Sequence, residues 1–139
     1  MNAKELIIGD WVSIKRLEGF YYKTRRITLS DMSLLHKMNI VHIPLTAEIL
    51  EKNGFKDVDV VVLGVRKLRL VTDDGRTEIT ISVDDTIPMD IVRNVYYEDE
   101  VSYTLPSPQT VSQLQHALRQ LQHALRLCGL NELADNFKV

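Results

Sequence analysis

From Gln113 to Arg126 the chain reads QLQHALR twice without a break. A repeat of that length restricts what this part of the protein can become. From Val111 onward the apolar residues fall at Val111, Leu114, Leu118, Leu121, Leu125 and Cys128, spaced alternately by three and four residues. This is the a/d stripe of a helix with a 3.5-residue period. Seven inserted residues add almost two whole turns and rotate the downstream face by only about 20°, whereas five or six would have turned the stripe toward water. Thr110 and Gln113 fit a capping box in which Gln113 reaches back to the cap, and Gly129 supplies the C′ position. The spacing therefore predicts a helix over about 111–128, roughly 27 Å long. The repeat reads as a change of length in a helix that buries one face. Removing one copy is expected to leave a folded, soluble protein.

What the stripe packs against is open from the sequence. One answer is the chain's own sheet. The other is a second chain, with Leu114, Leu118, Leu121 and Leu125 as the self-association seam. His116 and His123 fall opposite the stripe and read as exposed spectators. They lie about 10.5 Å apart along the axis, too far to share a metal ion. Gln113, Gln115, Gln120 and Gln122 read as polar flanks. Cys128, the sole cysteine, cannot form an internal disulfide and sits at a d position, as a buried structural thiol would.

The remaining chain reads as α+β with a mostly antiparallel sheet. A length of 139 residues, 45% hydrophobic and 26% charged, suits one globular domain over 1–139. Residues 6–16 (LIIGDWVSIKR) and 20–29 (FYYKTRRITL) read as a hairpin about Leu17-Glu18-Gly19. That opening resembles the start of many SH3-like barrels, so a barrel-like N-terminal part is among the expectations. Ser30-Asp31 caps a short helical turn through Leu35, and Ile40–Ile43 is extended before Pro44. A short helix is predicted over about 46–53. Thr46 is its N-cap, Leu45 staples to Leu50, and Glu48 and Lys52 complement the dipole. Gly54 is its C′ residue, with Phe55 beyond. Asp74-Gly75 marks a hairpin turn whose register sets Leu70 opposite Ile79 and Leu68 opposite Ile81. Residues 58–64 form a further strand, and Gly64 either turns the chain or bends one long strand. Ile91–Tyr97 and Val101–Leu105 are strands across the acidic Glu98-Asp99-Glu100.

Three pieces, KELIIGDWV (4–12), IPLTAEILEKNGF (43–55) and the VSQLQ…HALRLCGL tail, resemble a family of small proteins from Bacteroides-type gut bacteria. Its members are often encoded in prophage or conjugative-element regions. The family's tail carries one LQ-x-A-L unit where this chain has two. The resemblance implies a mobile-element accessory protein and brings no established activity, cofactor or substrate.

The chain shows no Gly-rich phosphate loop and no G-x-S-x-G, H-E-x-x-H or C-x-x-C. No catalytic, cofactor or metal residues are assigned. His36 and His42 near Asp31 could supply a general base, and Asp84, Asp85 and Asp90 a cation site, but each reads more simply as surface or turn. Charge is uneven. Residues 1–72 hold 12 Lys and Arg against 8 Asp and Glu, a balance of +4, and residues 73–139 hold 5 against 11, a balance of −6. The basic segment interleaves Trp11, Phe20, Tyr21 and Tyr22 with Lys15, Arg16, Lys23, Arg25 and Arg26, the mixture that holds single-stranded nucleic acid. The leading expectation is a non-enzymatic interaction protein in the cytoplasm, without cofactor or membrane partner. The alternative is a nucleic-acid-binding module built on hairpin 15–26.

Overall fold

A computed structural model of the chain describes residues 6–16, 22–34, 38–58, 66–72, 75–83, 87–93, 101–125 and 130–139. Two antiparallel sheets carry the fold. The first has the order β2-β1-β3, from β1 (Trp11–Arg16), β2 (Lys23–Arg26) and β3 (Met38–His42). The second has the order β4-β5-β6-β7-β8, from β4 (Lys56–Asp57), β5 (Lys67–Val71), β6 (Thr77–Ser82), β7 (Met89–Arg93) and β8 (Val101–Leu105). The helices are α1 (Leu29–Met32), α2 (Ala47–Lys52), α3 (Val111–Leu125) and α4 (Leu130–Asp135). The mixed α+β class is as the sequence predicts. Among the described residues no closed barrel forms; the N-terminal strands make a three-stranded sheet with the order β2-β1-β3.

Strand alternation explains both cores. Val12 and Ile14 face inward with Leu6 and Ile27 in a small cluster under the first sheet. Leu68, Ile79, Ile81, Met89 and Ile91 line one face of the second sheet and share a core with Leu50, Val111, Leu114, Leu118 and Leu121 from the helices and Phe55 just after α2. Leu68 pairs with Ile81 and Leu70 with Ile79, the predicted register. Gly75 has φ +70° and donates to the Thr72 carbonyl; its turn partner Asp74 lies outside the described residues. Also outside are Leu17 to Tyr21, His36, residues 59–65 with Gly64, Asp84-Asp85, Glu98-Asp99-Glu100, Cys128 and Gly129.

The α2 cap is built as the sequence reads. The Thr46 hydroxyl accepts from the Ile49 N–H. At the other end Gly54, φ +92°, donates to Glu51 O, and the Phe55 N–H donates to Leu50 O. Those two bonds are the Schellman pattern, with buried Phe55 as its apolar contact. The first helical turn starts earlier than expected. Thr28, not Ser30, is the N-cap, and Thr28 with Asp31 forms a capping box.

The long helix carries two corrections. Gln113 does not reach back to the cap: its Oε1 accepts from the Gln109 N–H, one residue before Thr110. The chain then makes a further helix, α4, beyond Gly129. Leu130 and Ala134 are buried there, four residues apart as one face of a helix requires, and Phe137 is buried just past its end. The stripe question is answered by burial. Leu114, Leu118 and Leu121 are 0%, 0% and 4% exposed inside the chain's own core, so they do not form a seam for a second chain. The side chain of Leu125 lies outside the described residues.

Candidate functional site

Chemistry-bearing side chains gather where α3 crosses the start of β1. Asp10 is held there by local backbone geometry. Residues 7–10 close a turn, with the Asp10 N–H on Ile7 O and Gly9 at φ +96°. Gly9 and Asp10 together oppose Ile27, since Gly9 N donates to Ile27 O and Ile27 N to Asp10 O. This bulge re-aims Asp10 inward. Its carboxylate has no exposed surface. Oδ2 accepts from Ile7 N at 3.0 Å and meets His116 Nε2 at 2.5 Å, and Oδ1 accepts from Arg119 Nη1 at 2.9 Å. Arg119 continues to Asp135 at 3.2 Å. His116 and Arg119 are one turn apart on α3, so both reach the same carboxylate. Removing Arg119 would leave a buried, under-paired charge, at a cost of about 3–5 kcal/mol. His116 is therefore no spectator. Its neighbour in the repeat, His123, is exposed as the sequence reads.

Gln115, read as a polar flank, is fully buried. Its Oε1 accepts from Trp11 N at 2.9 Å, and its Nε2 donates to Gly9 O at 3.0 Å and Ala134 O at 2.9 Å. The Gly9 carbonyl and the Trp11 N–H are left over on the side away from β2, where β3 would continue. β3 departs after His42, and the Ile43 carbonyl takes the Val111 N–H instead. The Gln115 amide thus stands in for a missing strand residue and fastens β1, α3 and α4 at one point. The C-terminal segment is clasped as well. The Phe137 carbonyl accepts from Trp11 Nε1 at 2.6 Å and from Arg26 Nη2 at 2.8 Å. The Asn53 amide donates to Lys138 O and accepts from Lys138 N, each at 2.8 Å.

The basic hairpin residues divide into two groups. Arg25 makes a two-pronged bond to buried Asp31, at 2.7 and 2.5 Å. Burial raises the Asp31 carboxyl, but the Arg25 fork, the Thr28 N–H and hydroxyl, and the Arg25 charge outweigh it. The result lies below the ordinary 3.8. The stabilisation from this pair is therefore present above the unfolded-chain value and is lost as pH falls through the lower folded value. Arg26 stacks over Trp11 at 5.2 Å while it holds Phe137. Arg25 and Arg26 are thus committed to the fold. Tyr22 and Lys23 are exposed and Lys15 half-buried; Lys15 Nζ stands 5.2 Å from the Tyr22 ring, and Tyr22 is 48% exposed. Tyr21 and the Arg16 side chain lie outside the described residues.

Two open grooves flank these regions. One of about 240 Å³ is lined by Leu105, Pro106, Gln113, His116, Ala117 and Gln120. The other, about 310 Å³, is lined by Thr46, Ala47, Glu48, Arg66 and Val83. Arg66 is occupied by Asp57 and Glu51, and its hydrogen bond holds the Asp57 carboxyl below its usual value. His42 Nδ1 faces the Ser112 hydroxyl at 3.4 Å, not Asp31. Asp90 is exposed on β7. Among the described residues no three His, Cys, Asp or Glu side chains converge on a metal position, and no helix is long and apolar enough to cross a membrane.

Asp10, Gln115, His116, Arg119 and Asn53 were not separable from surface residues by sequence. A buried polar role depends on what lies opposite in space, and the repeat made Gln115 and His116 look interchangeable with Gln122 and His123. No family model, curated protein or solved structure matches the chain, so the geometry alone carries its reading.

Proposed function

We propose that this chain is a non-enzymatic interaction protein, an accessory factor of a mobile element, which docks a protein partner through the outer end of its first sheet. The groups best suited to chemistry, Asp10, His116 and Arg119, are used to tie β1 to α3. The observation that carries the reading is a set of large apolar side chains left in solvent: Ile7 at 42%, Ile8 at 53%, Leu29 at 76% and Met32 at 38% exposed. The bulge bonds between Gly9 and Ile27 place the segments bearing these side chains alongside each other. Apolar side chains grouped at one end of a small sheet suit a protein interface. The test is affinity capture from host extract with wild type and with Ile8→Asp/Leu29→Asp, after checking that both melt alike. Specific partners lost with the double variant support the reading. A variant that retains the same partners defeats it.

A second reading, single-stranded nucleic-acid binding, is favoured by the Lys15–Tyr22 stack on one face of the hairpin, with exposed Lys23 adding a cation from its other face. Its test is Lys15→Glu/Lys23→Glu, because changing Arg25 or Arg26 would disturb the fold itself. Wild-type retention on single-stranded DNA at low salt, weakening steeply as salt rises and lost in the variant, supports it. No retention at low salt ends it.

A further inference from the structure

The second sheet ends on β8, and β8 is an unguarded edge. It is VSYTL, five residues without charge, Pro or Gly. Val101, Ser102, Tyr103 and Thr104 are all exposed, and no described strand pairs with the outer side of β8. Natural edges are blunted by Lys, Pro, bulges or a covering loop, and β8 has none of these within the strand.

The pattern of pairing fixes which groups that edge offers. The Thr72 N–H bonds Thr77 O, and Val83 N–H bonds Arg66 O. These set the hydrogen-bonded pairs of β5 and β6 at Leu70/Ile79 and Leu68/Ile81. Alternation then makes Glu78/Val92 and Thr80/Asp90 the bonded pairs of β6 and β7, and Ile91/Tyr103 and Met89/Leu105 those of β7 and β8. Tyr103 and Leu105 therefore turn their backbone inward, while Ser102 and Thr104 present N–H and C=O groups to open water.

We propose that β8 is a homodimer interface, in which it pairs antiparallel with β8 of a second copy about a two-fold axis at Tyr103. The proposal stands apart from the docking surface at Ile8 and Leu29. In this register Ser102 faces Thr104 of the other copy and Thr104 faces its Ser102. Each pair exchanges both backbone bonds, so every outward group of the strand is satisfied. Tyr103 meets its own copy at a non-hydrogen-bonded position, where side chains approach most closely. Val101 meets Leu105. The side-chain rows agree. Leu70, Ile79, Ile91 and Tyr103 form one row across β5 to β8, and Tyr103, at 40% exposed, lacks its next neighbour. The two-fold supplies it with a second Tyr103. Charge favours the same orientation: Glu98-Asp99-Glu100 precedes the strand, and antiparallel pairing sends the two Val101 ends apart, where parallel pairing would set them side by side. A symmetric interface of this type uses one patch on both subunits.

Sedimentation of the whole chain over a concentration series tests the pairing. The expected result is a monomer–dimer equilibrium that Tyr103→Lys weakens by at least about tenfold, through like charges facing across the axis. Thr104→Pro should act in the same direction, since it removes only an outward N–H. Both variants should melt like wild type in dilute solution. Register is read by oxidation in a Cys128→Ser background. Tyr103→Cys should cross-link to itself. Val101→Cys alone should not, but should cross-link when mixed with Leu105→Cys. A wild type that stays monomeric at its solubility limit overturns the proposal. So does a dimer indifferent to both Tyr103→Lys and Thr104→Pro, or self-cross-linking of Val101→Cys in place of Tyr103→Cys.

Discussion

In the first copy of QLQHALR, Gln115 is fully buried and uses both ends of its amide; in the second, Gln122 at the same place in the word is only half-buried and accepts one bond, from the Asn131 N–H at 2.6 Å. His116 holds the Asp10 carboxylate, while His123 stands in solvent. The leucines do not diverge in this way: Leu114, Leu118 and Leu121 all enter the same core. Seven residues turn a helix almost back to its starting face but carry it about 10.5 Å further along. The large sheet and the other helices are extensive enough to meet the stripe in both copies. β1 is narrow and meets only the first. A heptad repeat thus conserves an apolar role, which depends on face, and divides a polar role, which depends on an atom at one position.

The comparison can be broken most severely by deleting seven residues. Deleting either copy yields the same polypeptide, whose surviving heptad keeps the Asp10 and Trp11 contacts but draws α4 back along α3. The bonds from Gln115 to Ala134 and from Trp11 to Phe137 then cannot all persist. The sequence alone suggested a tolerated loss; the structure predicts a large fall in melting temperature, read by calorimetry. An unchanged melt would show that the second copy is a passive spacer. Next in size, Leu114→Ala and Leu121→Ala should each cost about 2–5 kcal/mol in urea titration. A negligible cost at Leu121 would place the second copy outside the core.

The polar pairs sharpen the contrast. Gln115→Leu orphans Trp11 N, Gly9 O and Ala134 O and should cost about 3 kcal/mol. Gln122→Leu should cost less than about 1 kcal/mol, because its one bond is exposed. Equal losses in denaturant would mean the two amides do the same work. Smallest is the histidine pair. His116→Ala should destabilise by about 1 kcal/mol, with Arg119 and Ile7 still holding Asp10, and His123→Ala by less than about 0.5 kcal/mol. Ring chemical shifts at one fixed pH offer an independent check, since of the two only His116 touches Asp10 and should respond to Asp10→Asn.

Local rules carried the sequence reading wherever one residue answers to its chain neighbours. The α2 caps from Thr46 to Phe55, the β5–β6 register and the a/d stripe are of this kind. What the sequence did not disclose is long-range and polar. Nothing near Gln115 says that β3 will leave β1 unpaired at Trp11, more than a hundred positions away. The bulge at Gly9-Asp10 likewise acquires its meaning only when α3 arrives. Arg25 and Arg26 looked like ligand contacts because exposure was inferred from charge, and the fold spent both on Asp31 and Phe137. α4 is hidden in the sequence for a different reason: Gly129 reads as the end of helical structure, and a six-residue helix shows only one apolar repeat, Leu130 to Ala134.

The clasp between Asn53 and Lys138 has a chemical side. Asn53 is followed by Gly54, the dipeptide in which the glycine nitrogen most readily attacks the asparagine side chain and converts it to aspartate or isoaspartate. In the folded chain that nitrogen is engaged with Glu51 O, and the amide is fixed at both ends by Ile49 and Lys138. The closed clasp therefore protects itself. Each excursion to the unfolded state exposes the pair to ageing, and such damage is irreversible. An aged chain would present an anion to the Ile49 and Lys138 carbonyls and could not close the clasp again. This asparagine is a clock that runs only while the protein is open, and a gain of negative charge at position 53 would record how long a population had spent unfolded.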